Sequence, residues 1–198
     1  VTAVDGDTYT FTVTPNGAGP RTVALTVDVG ASSAQDSATN QNTAASQLAF
    51  TYENQEPTTT ITSATSSPTN ASSVSVTVTF NENVSGFVEG DITVANGTIS
   101  AFTNTTANQV WTFTLTPTGA GPRVVAMTVD VPAGVAQDGA TNNNTAATQF
   151  AMTHDSVVPT ITLSSGAPDQ TNTSPILVTA QFSETVTGFD AGDITVGN

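Results

Sequence analysis

The chain contains no cysteine and no lysine, and only one histidine, one tryptophan and two arginines among its 198 residues. Without thiols, disulfides and thiolate metal sites are excluded. That absence leaves the compartment open, because a repeat of about a hundred residues can stand on its apolar core alone. The scarcity of cations, set against 16 acidic residues, gives a formal net charge of −14. A surface of that sign repels nucleic acid and anionic membranes, which require a basic footprint. Runs of about 18 apolar residues are also missing, so no helical membrane span is expected. Neither a signal peptide nor an initiator Met is present, which reads as an internal piece of something longer.

What the chain does have is a copy of itself. At an offset of 102 residues, Phe11-Thr12-Val13-Thr14-Pro15 recurs as Phe113-Thr114-Leu115-Thr116-Pro117, and Gly17-Ala18-Gly19-Pro20-Arg21 recurs as Gly119-Ala120-Gly121-Pro122-Arg123. Laid without gaps, residues 1–96 and 103–198 are identical at 50 of 96 positions, which marks a duplication and not a shared composition. The register fails only over the first nine residues, where Val1-Thr2-Ala3-Val4 fits Ile99-Ser100-Ala101-Phe102 with a shorter following loop. On that alignment the sequence spans close to two repeats, cut at the turn that Asn96-Gly97 makes in the uncut copy.

The hydrophobic period is two almost throughout. Val74, Val76, Val78 and Phe80 alternate with Ser75, Thr77 and Thr79, and Val23, Leu25, Val27 and Val29 alternate with Ala24, Thr26 and Asp28. Each run is a strand with one face buried and one wet. Val and Thr suit it, since a branched β-carbon packs well on a pleated surface. Turn residues such as Pro15-Asn16-Gly17, Ser67-Pro68 and Asn96-Gly97 separate the runs, and no amphipathic helix of useful length appears. From Pro57 onward the pattern predicts strands near 59–63, 74–80, 91–95, 98–103, 110–116, 123–131 and 147–153. Seven short antiparallel strands in about a hundred residues describe an all-β, immunoglobulin-like Greek-key β-sandwich, repeated about every 102 residues. Trp111 aligns with Tyr9 and is expected to plug the core.

Phe80-Asn81-Glu82-Asn83-Val84 and Phe182-Ser183-Glu184-Thr185-Val186, each followed by Gly-Phe and then Gly-Asp-Ile-Thr-Val, form a motif set with Val131-Pro132-Ala133-Gly134 and Ala136-Gln137-Asp138-Gly139-Ala140-Thr141-Asn142. This set resembles the bacterial immunoglobulin-like (Big-type) tandem repeats of large surface adhesins, including RTX-type adhesins exported by type I secretion. The resemblance covers essentially the whole chain and is specific for the family, though weak for any particular ligand. The first copy departs from it at Gly30-Ala31-Ser32, where Pro132-Ala133-Gly134 stands in the second. The resemblance implies an extracellular, cell-surface location and a structural or adhesive role.

If Pro57 opens a domain, residues 57–156 make a complete repeat. Residues 1–56 are then the C-terminal half of a preceding repeat, and 157–198 the N-terminal half of a following one. Neither half can bury its core alone, because a two-layer sandwich needs both faces. Each must be completed by neighbouring repeats of a longer covalent array, or by identical subunits head to tail, a contact that does not close and so builds a filament.

The acids gather at the pole where the chain enters the middle repeat. One loop brings Glu82, Glu89 and Asp91; another brings Asp138, Asn142 and Asn144; the linker brings Glu53 and Glu56. Asp155, Glu184, Asp190 and Asp193 repeat the arrangement at the next junction, and Asp36 is the earlier copy of Asp138. Two carboxylates about 4 Å apart repel by roughly 4 kcal/mol at an effective dielectric near 20, a large part of a domain's margin of about 5–15 kcal/mol. Either they stay apart or a cation sits between them, and hard oxygen donors suit Ca²⁺. The candidate metal set is therefore Glu53, Glu82, Asp91, Asp138, Asn142, Asn144, Asp155, Glu184, Asp193 and Asp36. The bland reading is that Asp138 and Asn142 organise a turn while Glu82 and Asp91 are simply solvated.

Other candidates are weaker. Thr112, Thr114 and Thr116 should line an outward face, where ordinary strand propensity accounts for them better than a glycan or ice ligand. Arg21 and Arg123 each follow Gly-Pro at a turn and are expected to pair with a local acid. His154 stands where Tyr52 stands in the other copy, so it is outside the repeating design. No Ser is placed with a base and an oxyanion donor. The sequence thus reads as a spacer, stalk or fibre segment and not an enzyme, with Ca²⁺ stiffening its junctions. The alternative is a carbohydrate- or surface-binding module with a groove or an exposed aromatic platform.

Overall fold

A computed structural model describes residues 1–197. The first stretch holds β1 (Thr2–Ala3), β2 (Tyr9–Thr10), β3 (Thr22–Val27) and β4 (Leu48–Glu53). The middle holds β5 (Thr59–Thr62), β6 (Val74–Phe80), β7 (Thr93–Ala95), β8 (Gly97–Thr106), β9 (Val110–Pro117), β10 (Val124–Asp130) and β11 (Phe150–Asp155). The last stretch holds β12 (Ile161–Ser165) and β13 (Val178–Phe182). Strands β5 to β11 form a four-stranded sheet in the order β5-β6-β9-β8 and a three-stranded sheet in the order β11-β10-β7, all antiparallel. That is the strand arrangement of a seven-stranded immunoglobulin-like sandwich.

Alternation builds the core. Along β6 and β9 every second residue is buried, so Val76 faces the same layer as Phe113 and Val78 the same layer as Trp111. Phe80, Phe87 and Trp111 meet edge to face, with ring centroids 5.1–5.5 Å apart, the geometry that aromatic quadrupoles favour. Trp111 is the core plug the pattern predicts. Met127, Val129 and Met152 close the other sheet over these rings. The sequence expectation differs from the structure at 98–103, where β8 runs on to Thr106, at 147–153, where β11 spans Phe150–Asp155, and at 91–95. Residues Glu89–Asp91 form a 3₁₀ turn and the strand begins at Thr93, because the Asp91 carboxylate accepts from the Val88 amide and winds the chain before it can extend.

Register fixes two poles. Thr59 lies opposite Phe80, and Val110 opposite Thr79, so β5 begins at the pole where β6 ends and β9 begins. Asp155, the last residue of β11, lies opposite Val124, the first of β10, at the far pole. The chain therefore enters at one end of the sandwich and leaves at the other.

The flanking segments are organised differently. β1–β2, β3–β4 and β12–β13 are separate two-stranded ladders, and among the described residues none pairs with the sandwich or with another ladder. β3–β4 repeats the register of β10–β11, and β12–β13 repeats that of β5–β6. The buried apolar residues run from Val74 to Met152, while Phe11, Phe50, Ile161, Leu177 and Val196 outside that range are exposed.

Candidate functional site

The loop between β10 and β11 dominates the entry pole. Asn144 is buried in it with all its capacity used. Its Oδ1 accepts from the Val135 and Ala136 amides, both at 2.9 Å, and its Nδ2 donates to the Pro132 and Thr145 carbonyls at 3.0 and 2.8 Å. A buried amide so placed staples a loop that has no ladder of its own. Asn42 does the same in the first copy, accepting from Ala34 and donating to Gly30 and Thr43. These two residues are loop staples, and the bonds of Asn144 engage the amide oxygen that the acid-rich spacing offers to an ion.

Asp138 closes the tip of the loop. One oxygen accepts from the Ala140 and Asn142 amides at 2.8 and 2.9 Å, and the other from the Asn142 side chain at 2.8 Å. Burial works to raise this carboxyl, but the Asn142 side chain and amide, the Glu53 side chain and the Ala140 amide outweigh it and hold it below the usual aspartate range. Asp36 repeats the turn with Ala38 and Asn40, and the Asn40 side chain and amide hold it low likewise. Thr39 and Thr141, inside these turns, adopt left-handed φ of 68° and 71°. A branched side chain enters that region only under constraint, here the Asp carboxylate gripping amides on both sides.

Two strips of backbone bring further acids alongside. Ser85 and Gln137 exchange amide-to-carbonyl bonds of 2.7 and 3.0 Å, which anchors the Glu82 loop to the Asp138 loop. The Thr145 amide donates to the Pro57 carbonyl at 2.9 Å, and the Asn142 side chain donates to Glu53 at 2.5 Å across the junction. Burial, then the charges of Asp138 and Glu53, push the Glu82 carboxyl up. Glu53, Glu82 and Asp138 are thus the part of the candidate set that the fold brings together.

The rest are placed elsewhere. Asp91 and Asp193 accept from the amides of Val88 and Asp190 and cap matching 3₁₀ turns. Asp155 accepts from the Val157 amide at 3.0 Å in the second junction. There a groove of about 650 Å³ runs between Pro68–Asn70, the linker Asp155–Pro159 and Glu184–Thr187. No group of three or more His, Asp or Glu side chains stands in metal-holding geometry among the described residues. Oxygens engaged with backbone amides are poor donors to an ion, so Asp36, Asp91, Asp138 and Asp193 serve turns first.

The arginines depart from expectation. Arg123 donates to the Gly121 and Pro117 carbonyls at 3.0 and 3.2 Å, and Arg21 to those of Gly19 and Pro15 at 3.1 and 3.2 Å. The Gly-Pro turn curls its carbonyls inward around the guanidinium, so each arginine clasps its own turn and not an acid. Sequence reasoning also missed the role of His154, which is buried with its Nδ1 3.1 Å from the Ala71 carbonyl and ties the 63–73 loop to β11. The absence of this histidine from the first copy was the available signal.

A family model described as "Bacterial Ig-like domain" matches residues 53–153, just over half of the chain, and this interval holds six strands of the sandwich and most of the seventh, β11. No curated protein and no solved structure matches.

Proposed function

Since the chain belongs to the bacterial immunoglobulin-like domain family, we propose that it is a structural segment of an extracellular bacterial surface adhesin, a spacer, stalk or fibre built of sandwiches joined end to end. Residues 57–156 are the complete unit, and residues 1–56 and 157–198 are halves of its neighbours. The role is mechanical and non-catalytic. The observation that carries this reading is the entry pole, where Asn142 reaches across the junction to Glu53 and Thr145 holds the linker at Pro57. Contacts of that kind restrict the hinge between units and favour an extended array over a collapsed one. Among the described residues, no aromatic side chain lines the groove at the second junction, which favours the spacer over the carbohydrate-binding alternative.

Ca²⁺ belongs to the proposal at one place, between Glu53 and Glu82 beside the Asp138 turn, where the ion would have to draw the carboxylates together, since no three of them stand in metal-holding geometry among the described residues. An ion there would relieve the repulsion that raises Glu82, and its binding would couple to ordering of the junction. Small-angle scattering on a stretch of several repeats tests the rod. A profile with constant cross-section and length proportional to repeat number is expected, and a compact profile would sink the reading. The same samples with Ca²⁺ and with excess chelator test the ion: a shorter, more flexible rod and a lower melting temperature in chelator are expected, and identical curves would remove the ion alone.

A further inference from the structure

Between β7 and β8 the chain passes from one sheet of the sandwich to the other at a single dipeptide. Ala95 is the last residue of β7 and lies opposite Thr128 in the three-stranded sheet, while Gly97 opens β8 opposite Pro117 in the four-stranded sheet. Asn96 stands between them with a left-handed φ of 57°, a conformation in which asparagine is among the few enriched side chains. Its Nδ2 donates to the Ala126 carbonyl at 2.8 Å, which extends the β7–β10 ladder, and its own carbonyl accepts from the Thr118 amide at 3.0 Å. Position 97 has no room for a β-carbon, because Leu115 and Val94 lie against it. Backbone geometry thus favours asparagine at 96, and packing requires glycine at 97.

Those two residues in that order are chemically labile. Glycine has no side chain to shield its amide nitrogen, which can attack the side-chain carbonyl of a preceding asparagine. Asn96 is also exposed to water. We infer that Asn96-Gly97 is a site of spontaneous deamidation, held in check by the β7–β8 corner and released when that corner opens. In the reaction the Gly97 nitrogen bonds to Asn96 Cγ, the Cγ–Nδ2 bond breaks, and the Gly97 amide proton leaves with Nδ2 as ammonia. Water then opens the cyclic imide at either carbonyl, giving aspartate, or isoaspartate with the main chain running through Cβ. In the closed corner the leaving group is bound to β10 and the Asn96 carbonyl to Thr118. The side chain therefore reaches across to the neighbouring strand and not back along its own chain, so reaction follows local opening.

Either product damages the corner. A carboxylate at 96 sets an acceptor against the Ala126 carbonyl in place of a donor. Isoaspartate lengthens by one carbon a link whose two sides are fixed by separate ladders. The corner thus accumulates a covalent record of opening, and a unit so marked is weaker than an unmarked one.

Asn16-Gly17, in an exposed bend of the first stretch, supplies an internal standard with the same following residue. The full chain is incubated at mildly alkaline pH with and without urea, and conversion at each site is followed by mass spectrometry of proteolytic peptides. In native buffer Asn96 is expected to convert at least about tenfold more slowly than Asn16, since a site open less than roughly a tenth of the time reacts correspondingly less. In urea that unfolds the chain the two rates should converge, with isoaspartate among the products at 96. Equal rates at both sites in native buffer overturn the gate, and an Asn96 that stays intact in the unfolded chain overturns the site. Asn96→Asp is expected to lower the melting temperature of the middle unit at neutral pH; an unchanged transition overturns the damage assigned to the product.

Discussion

Asn144 shows how one side chain can organise fourteen residues of loop without a strand. Its four hydrogen bonds satisfy two amides and two carbonyls inside the β10–β11 connection. Each such group left unpaired in a buried place costs about 1–3 kcal/mol. Asn144→Ala is therefore expected to destabilise the sandwich by about 3 kcal/mol or more in urea unfolding, whereas Asn42→Ala, in an exposed loop that water can enter, should cost far less. The charge balance beside it has opposite signs at neighbouring positions. Glu82 is raised in the folded state, so its charged form disfavours folding once the pH rises through that raised value, and the penalty is absent in acid. Asp138 is lowered, so its contribution is present above the ordinary aspartate range and is lost as the pH falls through the depressed value. Glu82→Gln should raise the melting temperature at neutral pH, a gain that vanishes by about pH 3. Asp138→Asn should lower it at neutral pH, with the difference narrowing in acid. These residues were legible only in part. Acid-rich spacing pointed to the pole, but spacing does not reveal whether an oxygen faces a neighbouring acid or a backbone amide. For Asn144 the spacing gave no sign of the four loop bonds it makes, although its recurrence at Asn42, each followed by Thr-Ala-Ala, hinted at structural use.

At the scale of elements, the strands were readable because Val, Phe and Thr alternate without interruption and each strand is buried on one face. Predicted and observed limits agree to within a residue for β5, β6, β9 and β10, while β8 runs three residues past the predicted end and β11 starts three residues late. Limits at β7 slipped, since Ile92 and Val94 alternate like any strand while the turn before them is set by a carboxylate-to-amide bond that periodicity does not register. The corner between β7 and β8 carries the tightest packing constraint. A β-carbon on Gly97 would lie 2.8 Å from Leu115 Cδ1, 3.1 Å from Val94 Cγ1 and 3.3 Å from the Thr116 carbonyl. Leu115 is fully buried and cannot swing aside freely. Gly97→Ala is expected to destabilise by about 1–3 kcal/mol through overpacking, checked by chemical denaturation, with Leu115→Ala added to the variant restoring room but opening a cavity.

For the whole molecule, 16 acidic side chains stand against two arginines. Like charge along successive units favours the proposed extended array. Screening shortens from about 10 Å at 0.1 M salt to about 3 Å at 1 M, so the rod is expected to shorten in scattering as salt is raised. The opposed poles described by register have one more consequence. A pull on the two chain ends drags β5 and β11 lengthwise past β6 and β10, and does not peel them away sideways. Every rung of both ladders then bears the tension at once, helped by the bonds from the Thr69 amide to Thr153 and from the Asp155 amide to Thr69. Such a tether stiffens against shear and gives way only when whole rows of rungs fail together.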